Sequence, residues 1–509
     1  MNRIKVVLVL AAMSSFAAGP VSAAAANPNC TKATLLNANL RKADLSGCQL
    51  QDLTIRADLS GANLSGSNLT NADLTQARLK GANFNLAFLH GAVLTNAPLS
   101  GASFVQANVD KAVFHNNDLS GAIFSKVHAR GAQFDHVNLR GAQFDNAMLE
   151  GSIFRSVDAS NANFAFTDAI AISLDSDSNF SSANFYGISS GGIQGSNGKL
   201  PANFHLIAGY LIGPTASLRG ASLQGQKLAG FNLAFADLSQ ANLGGSDLRG
   251  SNLTRSDLSS STLNGAHLQG ANLAEASAQT ASFKGASLQG STLSSGDFYN
   301  CNFAAAQMSG VTANFAFLDA ADMKGVVGSN SDFSHASMQG VHLEGANLGS
   351  SRFVGALLTK ATLKGIQAPA AIFSYAKAEG VVLTFSNLNH AVLTNIDAIG
   401  SDLTKSNLNA ANLSYGNFDN SKLTSTTLLK STLTGGMFDS SSFDSSSLIG
   451  AIVDLASFKS ASFASAHLEN SAGFNANNLV GASWSSTVCP DGSNSDQENH
   501  SCIGHLIKI

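Results

Sequence analysis

Large apolar residues recur every five positions through most of this chain, and that spacing restricts the fold more than any other feature. From Asp58 the sequence reads DLSGANLSGSNLTNADLTQARLKGANF, with Leu59, Leu64, Leu69, Leu74, Leu79 and Phe84 in step. The series runs on to Leu174. A second runs from Leu218 to Leu468, and an early one takes in Leu35, Leu40, Leu45, Leu50 and Ile55. Two positions before each centre the residue is usually Ala, Ser or Gly, and the residue just before it is often Asn, Asp or Ser. On a helix, five residues advance about 140° beyond a full turn, so the large side chains would scatter round the axis. On a flat strand an odd period flips every repeat to the other face. The pattern becomes coherent only if the chain turns a corner every five residues. Each pentad then forms one side of a coil, with its large and its small residue inside, and the coils stack as a solenoid.

Phenylalanine fixes the number of sides. Between Leu59 and Leu174 it occupies the centres 84, 104, 114, 124, 134, 144, 154 and 164, all separated by multiples of ten. Chance gives such a choice of alternate centres about once in a hundred trials. A three-sided coil would spread these rings over every wall. A four-sided coil of twenty residues places Phe84, Phe104, Phe124, Phe144 and Phe164 in one stack, with Phe114, Phe134 and Phe154 facing them. Offset ring contacts favour such columns. Shorter ladders recur at Phe333, Phe353 and Phe373, and at Phe418, Phe438 and Phe458. With strands stacked about 4.8 Å apart, the two long series amount to roughly 29 Å and 61 Å of rod.

The A-[D/N]-[L/F]-x-x series, as in Ala62-Asn63-Leu64-Ser65-Gly66 and Ala271-Asn272-Leu273, resembles the pentapeptide repeat family. The resemblance implies an all-β fold, a right-handed quadrilateral β-helix, here in two solenoid segments. Ala129, Ala159, Ala278 and Gly328 occupy centres and predict thin spots in the core.

The expected organisation has five parts. Residues 1–23 read as a signal peptide. Arg3 and Lys5 precede an apolar stretch from Val6 to Met13 that is too short to span a bilayer, and Val21-Ser22-Ala23 fits a cleavage site. Residues 24–186 form the first solenoid and 218–487 the second. Between them, residues 187–217 lose the register. Their first half reads as a Gly/Ser linker. Their second half, with Phe204, Leu206, Ile207, Tyr210, Leu211 and Ile212, is apolar enough to cover a coil end or launch the second rod. Residues 488–509 form a C-terminal cap. The register also slips between Ile55 and Leu59 and between Leu468 and Phe474, which predicts corner bulges.

A finite solenoid exposes unpaired backbone at both ends, which recruits other chains unless covered. Cys30 and Cys48 are separated by almost one coil, and Cys489 and Cys502 bracket a polar loop at the other end. In an exported protein these pairs are expected as disulfides. Cys301 falls on a small inward position and is expected as a buried free thiol. Trp484 ends the last coil, and the segment from it to Asp496 resembles the closing cap of exported pentapeptide proteins.

Catalytic signals are weak. The 12 His do not cluster in sequence: His128 and His136, or His335 and His342, take different places in their pentads. Asp175 and Asp177 read as solvated surface, and recurrent Gly reads as corner residues. No catalytic residue, cofactor or metal ligand is assigned. The expected function is a non-enzymatic, exported scaffold, periplasmic or extracellular. It would present flat polar faces of Asn, Ser, Thr and Gln to a protein or to an envelope or surface polymer. No nucleic-acid partner and no membrane span is expected.

Two other readings compete. Some pentapeptide proteins mimic duplex DNA, inhibit a topoisomerase and confer quinolone resistance. DNA carries about one charge per 1.7 Å, so a rod of roughly 90 Å would want about 50 negative charges. Without Arg3 and Lys5, this chain has 33 acids against 27 bases. The other reading is a calcium-dependent adhesin using Asp491, Ser493, Asp496 and Glu498, whose spacing departs from an EF-hand loop.

Overall fold

The computed structural model describes Cys30 and residues 38–506. The signal peptide expected over residues 1–23, and Leu35 of the early series, lie outside the described residues.

Each pentad makes one wall segment and one corner. The corners are turns in which Ala62 N–H donates to Leu59 O and Ala72 N–H to Leu69 O, both at 2.9 Å. Their third residues, Gly61 and Asn71, have φ of +68° and +55°. That is the signature of a type II turn, where Gly fits without strain and Asn is tolerated. The walls stack by backbone hydrogen bonds. Leu64 N–H donates to Asn83 O (2.7 Å), Asn83 N–H to Ala62 O (2.9 Å) and Gly66 N–H to Asn85 O (2.9 Å). Where the residue before a centre is Asn, it can serve both directions. Asn63 Oδ1 accepts the N–H of Ser65 at 3.2 Å, closing its own turn, and Nδ2 of Asn83 at 3.1 Å, tying it to the next coil.

Most of the bridged residues, about one in each pentad, pair parallel with partners one full coil on, as Asn63 with Asn83 and Asn252 with Asn272. This is a quadrilateral β-helix. On one wall of the first repeat run the bridges widen into strands β1 (Val93–Thr95), β2 (Val113–His115), β3 (Gln133–Asp135), β4 (Ile153–Arg155), β6 (Ser173–Leu174) and β8 (Gln194–Gly195). The next wall upstream holds β5 (Asp168–Ile170) and β7 (Ser189–Gly191), also parallel.

Inside the tube the rings form columns. Phe84, Phe104, Phe124, Phe144 and Phe164 stack with centroids 4.7–5.0 Å apart. Phe114, Phe134 and Phe154 stack at 5.0 Å and meet the first column edge-on at 5.8–6.3 Å. Where the small inward residue is Ser, its hydroxyl can be satisfied by the tube itself: Ser331 donates to Met308 O at 2.7 Å and Ser351 to Gly328 O at 2.9 Å. The thin spot expected at Gly328 is filled, because Leu348 leans into it so closely that an added Cβ would meet Leu348 Cδ2 at 2.8 Å. Ala129, Ala159 and Ala278 are likewise fully buried. Two apolar voids of about 10 Å³ sit elsewhere, one between Phe154, Phe180 and Leu211 and one around Ala378.

Of the two slips expected as corner bulges, the first is a shortened corner and the second carries the added position of a bulge. Asp44 pairs with Asn63, so the coil holding the corner between Ile55 and Leu59 falls one position short of a full circuit. The Arg56 guanidinium occupies the tightened corner, donating to Asp73 O at 2.9 Å and to the Asp73 carboxylate at 2.5 Å. This bond is the main reason that carboxyl is held down at about 2. Ser462 pairs with Ser483, so the slip after Leu468 adds one position to its circuit. A further added position lies at Asp175–Ser178, where the Asp175 carboxylate accepts from Ser156 N–H (2.9 Å) and Ser178 N–H (3.0 Å).

Residues 187–217 are not a free linker in their first half, which carries β7 and β8. Ser189 pairs both with Asp168 and with Ser217, so one wall passes unbroken from the first repeat run into the second. The circuit from Ser189 to Ser217 is longer than its neighbours. Its surplus forms an antiparallel hairpin, β9 (His205–Ile207) with β10 (Tyr210–Ile212). Leu211 is buried in the first core and Ile212 in the second, while Phe204 touches both.

Both ends carry a disulfide. Cys30 joins Cys48 with Cα atoms 5.5 Å apart, and Cys489 joins Cys502 at 5.4 Å. At the C-terminal end Trp484 stacks on Phe463 at 4.9 Å. Val488 still pairs with His467 and then turns antiparallel to Asn494, leading into a 3₁₀ turn at Ser495–Gln497. His505 ties the loop together, with Nδ1 2.8 Å from Asp491 Oδ2 and Nε2 3.1 Å from Glu498 Oε2.

Two outcomes follow from this architecture. Phe124→Ala should cost about 3–5 kcal/mol. Because each coil touches only its neighbours, amide exchange should accelerate around residues 104–154 and stay unchanged beyond residue 230. The cap should respond to pH with a defined sign. Its hydrogen bond to Asp491 raises the His505 pKa above 6.5. The contribution of that pair is therefore complete below 6.5 and is lost as pH rises through the raised value. Asp491, held at about 2 chiefly by the Ser493 N–H, contributes fully above 3.8 and loses its share as pH falls toward 2. Exchange protection of Ser495 and Cys489, corrected for intrinsic rates, should peak between these limits, and His505→Gln should flatten its decline on the alkaline side.

Candidate interaction surface

Corner residues twenty apart form a column along each of the four edges, and the four columns differ in chemistry. One edge is mainly glycine: Gly61, Gly81, Gly101, Gly121 and Gly141, then Gly230, Gly250, Gly270, Gly290 and Gly310. The neighbouring edge on the chain carries Leu86, Phe166, Phe235, Phe315, His335, Tyr375, Tyr415 and Leu455, all with φ between +56° and +61°. The large apolar members of this column are each more than half exposed. Phe88, Tyr186 and Phe317 flank it and are equally exposed. Among the described corner residues of the other three edges, Phe385 is the one exposed aromatic.

The column crosses the hairpin without a break. Phe166 N–H donates to Tyr186 O, Gly187 N–H to Thr215 O, Thr215 N–H to Ala234 O and Phe235 N–H to Thr254 O, at 2.8–3.1 Å. Several rings are held by the next corner in the column. Phe166 lies over Gly187 and Tyr415 over Gly435, so that an added Cβ would meet the rings at 2.7 and 2.6 Å. Phe315 stacks on His335 at 5.1 Å, and the Arg255 guanidinium sits 5.7 Å from the Phe235 centroid. Exposed apolar residues scattered singly need no explanation, but their alignment on one edge of a rigid rod does.

The sequence reading missed this edge, because Phe was read as the core residue of the repeat. The signal was present in the same spacing: Phe166, Phe235, Phe315, Tyr375 and Tyr415 all stand two after a centre.

The other residues singled out from sequence fall as follows. The eight Phe of the first run are buried in the columns described above and reach no surface. Cys301 is buried, its Sγ 2.8 Å from Ala278 O, and burial pushes its thiol up to about 12, which keeps it protonated and unreactive. In the C-terminal loop the acids are already engaged by protein groups: Asp491 by Ser493 and His505, Asp496 by Ser486, Glu498 by His505. The separation of the histidines read from sequence needs correction. His128 and His335 stand apart, but His115 and His136 approach to 5.7 Å between centroids, with Asp135 between them. Among the described residues no helix is long and apolar enough to cross a membrane.

Comparison with solved structures finds local likeness. HetL, a pentapeptide repeat protein involved in heterocyst differentiation regulation in the cyanobacterium Nostoc, is 24% identical over 44% of this chain and 91% of its own, with a TM-score of 0.21. QnrB1, a plasmid-mediated fluoroquinolone resistance protein, is 20% identical over 35% of this chain and 88% of its own, also at 0.21. A pentapeptide repeat protein of the Arabidopsis thaliana thylakoid lumen is 30% identical over 23% of this chain and 68% of its own, at 0.11. No curated protein matches significantly. The family described as Pentapeptide repeats matches residues 23–53, 57–165, 216–325, 329–365 and 379–436, well over half of the sequence, and the chain belongs to that family.

Proposed function

We propose that this protein is an exported, non-enzymatic scaffold that docks an elongated partner, a protein or an envelope or surface polymer, along its aromatic edge. The observation that carries the reading is the alignment of Phe166, Phe235, Phe315, Tyr375 and Tyr415 on one edge, while most other large rings are buried in the core. Aromatic rings bury much area at small entropic cost and dominate recognition surfaces. Their placement on left-handed corners, where a side chain is less favourable than glycine, adds weight to a role outside the fold.

Export is supported by the leader-like residues 1–23 and by the two disulfides, which persist in oxidising compartments. We divide the chain accordingly into a leader (1–23), two repeat runs (24–186 and 218–487), the hairpin-bearing coil between them and a cap (488–509). The DNA-mimic reading is weaker. Bases are interspersed with the acids, and some pair directly, as Arg255 with Glu275 at 2.7 Å and Arg249 with Asp247 at 2.7 Å.

Photo-crosslinking in the native cell tests the proposal. A probe at Tyr375 or Tyr415 should capture a partner that a probe at Gly310, on the glycine edge, does not. Replacing Phe235, Phe315, Tyr375 and Tyr415 by Ser should abolish that capture, with stability changing by no more than about 0.5 kcal/mol per site. Equal capture from both edges would end this reading.

A further inference from the structure

On the edge diagonally opposite the aromatic one, three side chains converge from two successive coils. His115 ends β2 and Asp135 ends β3, and the two are Cα partners in the parallel ladder. His136 follows Asp135 at the corner, with φ of +54°. His115 Nδ1 lies 3.0 Å from Asp135 Oδ2, and His136 Nδ1 lies 2.8 Å from Asp135 Oδ1. One ligating atom from each residue falls within 4.8 Å of the others, and among the described residues this is the only such meeting of three His, Cys, Asp or Glu side chains. All three are partly open to solvent.

We propose that His115, Asp135 and His136 bind a single late first-row divalent cation, with Zn²⁺, Ni²⁺ and Cu²⁺ as the matching ions. The donor set decides the class. Two imidazole nitrogens and one carboxylate oxygen suit these borderline ions, whereas Ca²⁺ and Mg²⁺ require shells of oxygen. The distances fit as well. Ligands bound at about 2.0–2.2 Å to a tetrahedral zinc lie roughly 3.4 Å from one another, so the present spacing needs only small side-chain movements. The backbone beneath is fixed, because Phe114 and Phe134 stack at 5.0 Å under the same ladder pair and His136 N–H donates to Arg155 O at 2.9 Å. Little ordering entropy is left to oppose binding.

The surroundings leave the site open. Thr95 precedes His115 in the ladder, and Arg155 follows Asp135. Arg155 is the one cation in that ladder, and it lies on the side of Asp135 away from His115. Three protein ligands leave at least one coordination position for water or for a donor from a partner. The ion would staple two coils at their outer edge, adding to the backbone ladder and the His115–Asp135 contact that now join them there.

The test uses the full mature chain, stripped with a chelator and titrated with zinc by calorimetry, with Co²⁺ as a visible-absorption probe. One equivalent of zinc should bind, Co²⁺ should develop d–d bands, and zinc should raise the melting temperature. His115→Gln and His136→Asn should each weaken binding by more than about tenfold and remove the thermal shift. Asn is tolerated at a left-handed corner, so the second variant preserves the fold. His128→Gln should behave as the parent. Absence of both heat and Co²⁺ bands with the parent protein, or His136→Asn binding zinc as tightly as the parent, would overturn the proposal.

Discussion

The whole structure depends on a left-handed residue every fifth position. A turn with positive φ at its third residue closes each side, and only then does a period of five put one large and one small side chain inside the tube. The backbone ladder between coils follows from that corner, since Leu64 N–H and Gly66 N–H find Asn83 O and Asn85 O only if both coils turn at the same height. Many corners here are not glycine, and Lys111, Phe235, Tyr375 and Leu455 all hold φ near +60°. Leaving the left-handed conformation would break both the turn and the stacking bonds, so the ladder over-determines it. Residues that glycine would replace more comfortably thereby become free to carry surface chemistry.

The tube interior and its exterior were legible to different degrees. The fold class followed from Leu59, Leu64 and Leu69, because no helix or flat strand accommodates their spacing. The ring columns are visible in the decadal placement of Phe, since twenty residues make one coil. The corners were harder. The short gap at Ile55–Leu59 and the long gap at Leu468–Phe474 both register as lost phase, yet one removes a position and lets Arg56 fill the corner while the other adds one. The strands β7 and β8 carry no apolar period, because Ser189, Ser190 and Gln194 owe their pairing to the adjacent coil rather than to their own composition.

The two surface features were hidden for a common reason. Phe166 and Phe235 look like further core residues until their place in the pentad is fixed. His115 and Asp135 look unrelated until a separation of twenty is recognised as adjacency. In a solenoid the relevant neighbour is one coil away rather than next in sequence. The His128 and His136 pair, near in sequence, lies on different walls, while His115 and Asp135 lie side by side.

The overlong coil between Ser189 and Ser217 carries a consequence for how such a chain can grow. Its surplus is extruded as the hairpin instead of advancing the winding, so Phe166 and Phe235 remain on the same edge. Had the surplus been wound in as one more pentad, everything beyond Ser217 would be rotated by a quarter turn and the aromatic line would jump to another edge. Whole-coil duplications leave azimuth untouched, a single position is absorbed at a corner, as at Arg56 and Asp175–Ser178, and larger surpluses must be looped out. Lengthening therefore preserves a linear surface pattern only in quanta of one circuit, which makes the edge, rather than the wall, the feature this architecture can extend without redesign.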